Sequence, residues 1–216
     1  MSKLVVIENV SLDGVMQAPG APEEDPTGGF EHGGWSVPYW DDEMMGRMSA
    51  AEPYDLLLGR GTYEIFAAHW PYDEGPIADR LNSIRKHVPS TKLDRVDWSN
   101  STLIDGDVAG YVTALKRDDG PEIQVHGSPG LIQTLLAHDL IDELRTWIFP
   151  LLLGSGKRLF GGGTVPAVLE LVDSTVTKTG VTINTYRRAG DVETGLMGFE
   201  EATEAELERR RRLASR

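Results

Sequence analysis

Apolar residues along the first two thirds of the chain follow two alternating rhythms, and each rhythm predicts an element. Residues 3–10 form a short β-branched run of the kind a buried strand presents, delivering Ser11-Leu12-Asp13-Gly14 at its carboxyl end. Open α/β sheets bind ligands at that end of their strands. Residues 41–50 read as a helix, 54–59 as a buried strand ending at Gly59, and 60–70 and 76–83 as helices. Strands are expected near His87-Val88 and over 102–104. Asp107 is placed to cap a helix running to Arg117, with Ala109, Val112 and Leu115 along one side. A strand at 122–126 follows. The next helix has Ser128 at its cap and Pro129 in its first turn, with Leu131, Leu135 and Leu136 as its apolar face.

From Asp142 onward the pattern turns to strands, at 144–150, 169–178 and 181–187, the last two forming an antiparallel hairpin across Thr179-Gly180. A parallel βα series closed by such a hairpin predicts an α/β domain with a mixed, mostly parallel sheet and helices on both faces. Charged residues dominate 200–212, so residues 189–216 are expected to form a charged helix or tail outside one domain of residues 1–188. Residues 17–38 are rich in Gly, Pro and acidic side chains yet carry Phe30 and Trp35. That mixture suggests a long active-site loop, with a disordered surface excursion as the alternative.

Charge narrows the choice of ligands. A formal net charge of -13 opposes non-specific attraction to nucleic acid or anionic membrane, so an anionic ligand needs a local, prebuilt site. Zero cysteines exclude disulfides, thiolate catalysis and Cys-based metal sites, which fits a reducing compartment and predicts a cytoplasmic protein. No apolar run approaches the ~20 residues that span a bilayer, and the first ten residues lack a signal-peptide core. His32, His69, His87, His126 and His138 show neither HxH nor HExxH spacing, so no metal site is expected.

Two strand-glycine-helix junctions are the candidate anion sites: Leu58-Gly59-Arg60-Gly61-Thr62 and Val125-His126-Gly127-Ser128-Pro129-Gly130. Glycine lets a phosphate approach the backbone, and a helix N-terminus adds a partial positive charge of roughly half an elementary charge. The competing explanation for each is conformational, since such turns use Gly and Ser anyway. Residues 154–159 fail both the dinucleotide fingerprint and the P-loop, having Leu159 at the third glycine and Arg158 after Lys157. Ser128 keeps a serine hydrolase among the alternatives. Against it, His126 stands where a nucleophile elbow needs glycine, and Pro129 removes an oxyanion donor.

Taken in order, Ser11-Leu12-Asp13-Gly14-Val15-Met16-Gln17, Leu57-Leu58-Gly59-Arg60-Gly61-Thr62-Tyr63-Glu64, His126-Gly127-Ser128 and Pro150-Leu151-Leu152-Leu153-Gly154-Ser155-Gly156 resemble the dihydrofolate-reductase-like family. More narrowly, the chain is similar to stand-alone proteins that match the C-terminal reductase domain of the riboflavin-biosynthesis deaminase-reductase. The resemblance implies a three-layer fold around a sheet of about eight strands, a homodimer, and NADPH across the strand ends. It implies that Gly59, Arg60 and Thr62 hold phosphate at one helix start, and that Gly127, Ser128, Gly130 and Leu131 line the pyrophosphate at the other. Ser90, Thr91 and Lys92 would grip the 2′-phosphate and so favour NADPH over NADH. Asp13 and Gly14 would face the nicotinamide and substrate, with Gln17 beside the cofactor. Asp13 becomes the candidate proton source, with Asp41 and Asp42 as a second pair and an Asx-turn or helix caps as their structural explanations. Trp35, Tyr39 and Trp40 would form an apolar lid, and His126 would face the substrate.

The implied activity is hydride transfer from NADPH to a C=N or C=O bond of a small heterocyclic or carbonyl substrate, as in 5-amino-6-(5-phosphoribosylamino)uracil reduction. This chain carries His126-Gly127-Ser128 where the riboflavin reductases usually carry Glu-Gly-Gly, and it lacks their Asn-Pro-x-Leu-x-x-Arg segment. Its own substrate is therefore left open. The alternatives are a nucleotide-binding protein without turnover and the hydrolase on Ser128.

Overall fold

The computed structural model describes residues 1–49, 52–161, 164–195, 197 and 201–215. The β-branched run at the start forms β1 (Leu4–Ser11), and β2 (Tyr54–Leu57), β3 (Lys86–Pro89), β4 (Ser101–Ile104), β5 (Glu122–His126) and β6 (Glu143–Phe149) follow. β7 (Val168–Val176) and β8 (Thr182–Gly190) form the hairpin. They join one eight-stranded sheet in the order β4-β3-β2-β5-β1-β6-β8-β7. The six strands from β4 to β6 run parallel, and β8 turns antiparallel against β6.

The helices are α1 (Asp42–Ser49), α2 (Arg60–His69), α3 (Pro76–Ser83), α4 (Val108–Arg117), α5 (Pro129–Ala137) and α6 (Glu204–Ala214). Strand alternation sends successive side chains to opposite faces, and consecutive leucines of β2 show the result. Leu57 joins Leu4, Val6, Ile123 and Val125 under Val112 of α4 and Ile132 and Leu135 of α5. Leu56 and Leu58 pack on the other face with Tyr63 of α2 and Leu81 of α3. Farther along that second face, Trp147, Phe149 and Ile183 meet Met44 of α1 and Phe30 and Trp35 of the long loop. The result is three layers, helices on both faces of the sheet.

Asp107 caps α4 as expected, accepting from the Gly110 N–H at 2.9 Å. The expected helix positions Ala50 and Glu200 lie outside the described residues. The loop before α1 is seated, not a disordered excursion: Phe30 and Trp35 are buried, and short 3₁₀ turns occupy Thr27–Gly29 and Val37–Tyr39. No residue of α6 is buried. Among the described residues, no helix is long and apolar enough to cross a membrane.

Candidate active site

β2 and β5 are neighbours, so the glycine turns that follow them open side by side. Ser128 joins them. Its Oγ accepts from the Gly59 N–H at 3.0 Å and lies 2.7 Å from Thr62 Oγ1. Ser128 adopts a left-handed conformation (φ 68°) that turns its hydroxyl across to the other mouth, and it makes no cap hydrogen bond to its own helix. The expected N-cap role of Ser128 is thus replaced by a cross-link. Gly127 is also left-handed (φ 59°), and a Cβ there would sit 2.7 Å from Thr62 Oγ1. Glycine is required at that point twice over, by conformation and by space.

The two mouths open into one cleft of about 1110 Å³, bounded by the ends of β1 and β5, the loop over residues 17–40, and the facing sides of α1 and α2. Pockets for small ligands typically span about 300–1,000 Å³, so this one has room for a two-part ligand. Trp40, Met48, Phe66, Trp70 and Trp147 supply apolar wall, and Asn9 and His126 supply polar groups. His126 pairs through Nε2 with Gln124 Oε1 at 3.1 Å. Burial drives its pKa down to about 4, against a smaller upward pull from Glu122, so the imidazole is neutral at pH 7. Two cations border the cleft, Arg60 held by Glu64 at 2.8 Å and Lys157 held by Asp25 at 2.5 Å. A second, apolar hollow of about 360 Å³ lies beside β7 and α5 and shares no residue with the cleft.

Of the residues named from sequence, Gln17, Gly59, Arg60, Thr62, His126, Gly127, Ser128, Gly130 and Leu131 line the cleft. Gln17 does so with its amide already engaged. Its Nε2 donates to the Asp25 and Thr27 carbonyls, both at 2.9 Å, and its Oε1 accepts from the Lys157 N–H at 3.0 Å. Its side chain therefore staples the loop instead of gripping a cofactor.

Other expectations need correction. Asp13 and Gly14 do not line the cleft. The Asp13 carboxylate accepts from Ser11 Oγ at 2.6 Å and from the Leu153 and Gly154 N–H groups at 3.1 and 2.8 Å. The Ser11 hydroxyl first, then the two backbone amides, outweigh desolvation and hold its pKa at about 2. Asp13 is an ionised clamp between two turns and holds no proton to give. Gly14 (φ 86°) completes that turn, its N–H bonded to the Ser11 carbonyl.

Trp35 and Tyr39 also stand apart from the cleft. Trp35 is buried against Phe149 and donates to the Gln17 carbonyl at 2.7 Å; Tyr39 stacks edge-on against the same phenylalanine. Of the expected aromatic lid only Trp40 faces the cleft. Ser90, Thr91 and Lys92 follow β3 at the same carboxyl edge of the sheet but outside the cleft. Ser90 Oγ there accepts from the Lys92 and Leu93 N–H groups, both at 3.1 Å, leaving Thr91 and Lys92 exposed. Asp41 Oδ1 caps α1 through the Met44 N–H at 3.0 Å, and neither it nor Asp42 reaches the cleft.

Sequence reasoning missed Glu8, Asn9, Trp147 and Lys157, all of which line the cleft. Glu8 carried a visible signal, a carboxylate inside an otherwise buried strand. Among the described residues no cluster of His, Cys, Asp and Glu is arranged to hold a metal ion.

A parallel sheet closed by an antiparallel hairpin, with a cleft across the carboxyl ends of its central strands, defines a dihydrofolate-reductase-like α/β domain. Solved structures agree on the fold. A riboflavin-biosynthesis protein from Shewanella sp. PV-4 aligns over 87% of this chain and 99% of its own at TM-score 0.62 and 23% identity. Dihydrofolate reductase from Enterococcus faecalis, complexed with NADP(H), aligns over 86% and 96% at TM-score 0.55 and 15% identity. YyaP of Bacillus subtilis, an uncharacterized protein, is 28% identical over 140 residues, 62% of this chain and 74% of YyaP. Residues 2–183 match the RibD C-terminal domain, and the chain belongs to that family. The family match supports a reductase of the riboflavin-pathway type, and the solved structures support the fold.

Proposed function

We propose that this protein is an NADPH-dependent reductase acting on a C=N or C=O bond of a small, planar heterocyclic substrate. The observation that carries the reading is the Ser128 cross-link, which turns two helix N-termini toward one cleft. The first-turn N–H groups that a helix leaves without intrahelical partners, the glycines at 59, 127 and 130, and Arg60 would form a cradle suited to a pyrophosphate on a chain that otherwise repels anions. A Cβ on Gly127 would crowd that cradle. When bound there, NADPH supplies the hydride, and the protein supplies orientation and charge complementarity. The aromatic walls and the neutral His126 imidazole suit an uncharged ring whose edge offers both donors and acceptors.

In this reading Ser90, Thr91 and Lys92 receive the 2′-phosphate, the exposed Thr91 hydroxyl and Lys92 ammonium lying open to it. Calorimetry checks it: NADPH binds more tightly than NADH, and Arg60→Ala weakens NADPH roughly 10-fold or more, the loss of one charge-assisted contact. Equal affinity for the two nucleotides refutes it. NADPH oxidation is then screened against pyrimidine, pterin and carbonyl panels, with 5-amino-6-(5-phosphoribosylamino)uracil chemistry as the first trial. A nucleotide-binding protein without turnover is the second reading, and a panel silent throughout favours it. The hydrolase reading loses support because the Ser128 hydroxyl is bonded to Gly59 and Thr62, while His126 is paired with Gln124.

The cytoplasmic setting belongs to the same proposal and rests on the cysteine-free composition. So does a homodimer. The edge strand β7 exposes Leu169, Leu171, Val172 and Val176, and light scattering on dilution measures whether two copies pair there.

A further inference from the structure

Reduction of a C=N or C=O bond takes a proton as well as a hydride, and Asp13 cannot supply it. The cleft is lined by four acids: Glu8, Glu24, Asp25 and Glu64. Three are committed. Asp25 is paired with Lys157, Glu64 with Arg60, and Glu24 Oε2 accepts from the Gly20 and Ala21 N–H groups at 2.6 and 3.2 Å.

Glu8 differs from all three. It lies mid-strand in β1, 5% exposed, and its Oε1 is buried without a hydrogen-bond partner. Thr146, its register partner on β6, carries a second buried oxygen without a partner. Register places Val6, Val10 and Leu144 on the same face as Glu8, so apolar side chains flank it along the strands. His126 pairs with Ile7 and therefore projects from the opposite face. The charged pairs Arg60–Glu64 and Lys157–Asp25 are the remaining titratable groups at the cleft, together with Glu24. A bare carboxylate cannot persist in such surroundings, and a carboxylic acid can. Burial pushes the Glu8 carboxyl well above its ordinary value, against a smaller downward pull from the Gly127 amide.

We propose that Glu8 is the acid of the cleft and gives its proton to the substrate atom that becomes an amine or alcohol. This rests on the reductase reading above. NADPH bound in the cleft would supply hydride to the substrate carbon, and the π pair of the C=N or C=O bond would move onto nitrogen or oxygen. That atom takes the proton from the Glu8 carboxyl as its O–H bond breaks. Glu8 is left as a carboxylate and regains a proton from water after product leaves.

The test uses the full chain and Glu8→Gln, which keeps the shape and removes the exchangeable acid proton. Infrared difference spectra at pH 7 should show a protonated-carboxyl band in the wild type that vanishes in the variant, with and without NADPH. NADPH affinity by calorimetry should stay within about threefold, since the glutamine carbonyl can still accept from the Gly127 amide of the cradle. With 7,8-dihydrofolate as C=N probe and phenanthrenequinone as C=O probe, turnover should fall at least about 100-fold, the lower bound for losing a general acid. The wild-type rate should decline as pH rises through the elevated Glu8 pKa, and the residual rate of the variant should lose that step. Absence of the band overturns the proposal, as does variant turnover within threefold of wild type, or a wild type that binds NADPH yet reduces neither probe. A wild type that fails to bind NADPH sinks the reductase reading instead, whatever the state of Glu8.

Discussion

Gly127→Ala tests the linked mouths most directly. The substitution adds one methyl at φ 59°, 2.7 Å from Thr62 Oγ1 and 3.3 Å from its Cγ2. Holding a side chain in the left-handed region costs about 1–2 kcal/mol. The overlap drives Thr62 away and breaks its 2.7 Å contact with Ser128, another 1 kcal/mol or so. The sum is about 2–3 kcal/mol, which lowers the melting temperature of a domain this size by roughly 5–10 °C. Because Thr62 and Ser128 set the spacing of the two helix starts, NADPH affinity should fall as well. Gly130→Ala is the control: a Cβ there meets nothing within 4 Å, and alanine in a helix favours folding by up to about 1 kcal/mol. Thermal melts, urea titrations and calorimetry measure all three effects. Should Gly127→Ala melt with the wild type and bind NADPH equally well, the joined-mouth interpretation is wrong.

Three further substitutions probe other contacts of the fold and the cleft. Lys86→Met should destabilise the fold by roughly 2–4 kcal/mol in urea unfolding, because Lys86 is fully buried and its Nζ donates to the Ile84 and Ser99 carbonyls at 2.9 Å, which would lose their partner. Asp13→Asn should lower the melting temperature at pH 7, since the carboxylate bridges two turns. The folded pKa near 2 lies below the ordinary value of 3.8, so this stabilisation is complete above pH 4 and disappears as pH falls toward 2. The gap in melting temperature between wild type and variant should close over that range. Thr62→Val, which keeps the shape and deletes the hydroxyl, should weaken NADPH binding by several-fold in calorimetry while leaving circular dichroism unchanged.

Local rhythm predicted the elements well because each strand and helix carries its own period. β5 spans the expected 122–126, and the strand-glycine-helix order marked Gly59 and Gly127 as candidate anion turns, which the pairing of β2 with β5 brings side by side. What local pattern cannot express is where a loop side chain lands. Trp35 and Tyr39 looked like a lid, yet Phe149 from β6, more than a hundred positions away, offers them a core to join. Asp13 looked like a proton source because the Leu153 and Gly154 amides that ionise it come from a distant turn. Glu8 stood out as a carboxylate within an apolar run, but only the packing of β6 and the Gly127 turn around it shows that it has no charged partner.

The anchored loop bears on how quickly ligands come and go. Gln17 is saturated by Asp25, Thr27 and Lys157, and Trp35 is pinned to the Gln17 carbonyl. With those anchors in place before any ligand arrives, association requires little chain ordering and should proceed in a single concentration-dependent phase. Residence time would then be set by how firmly Trp40 and its neighbours hold the departing molecule, with no slow gate to open first.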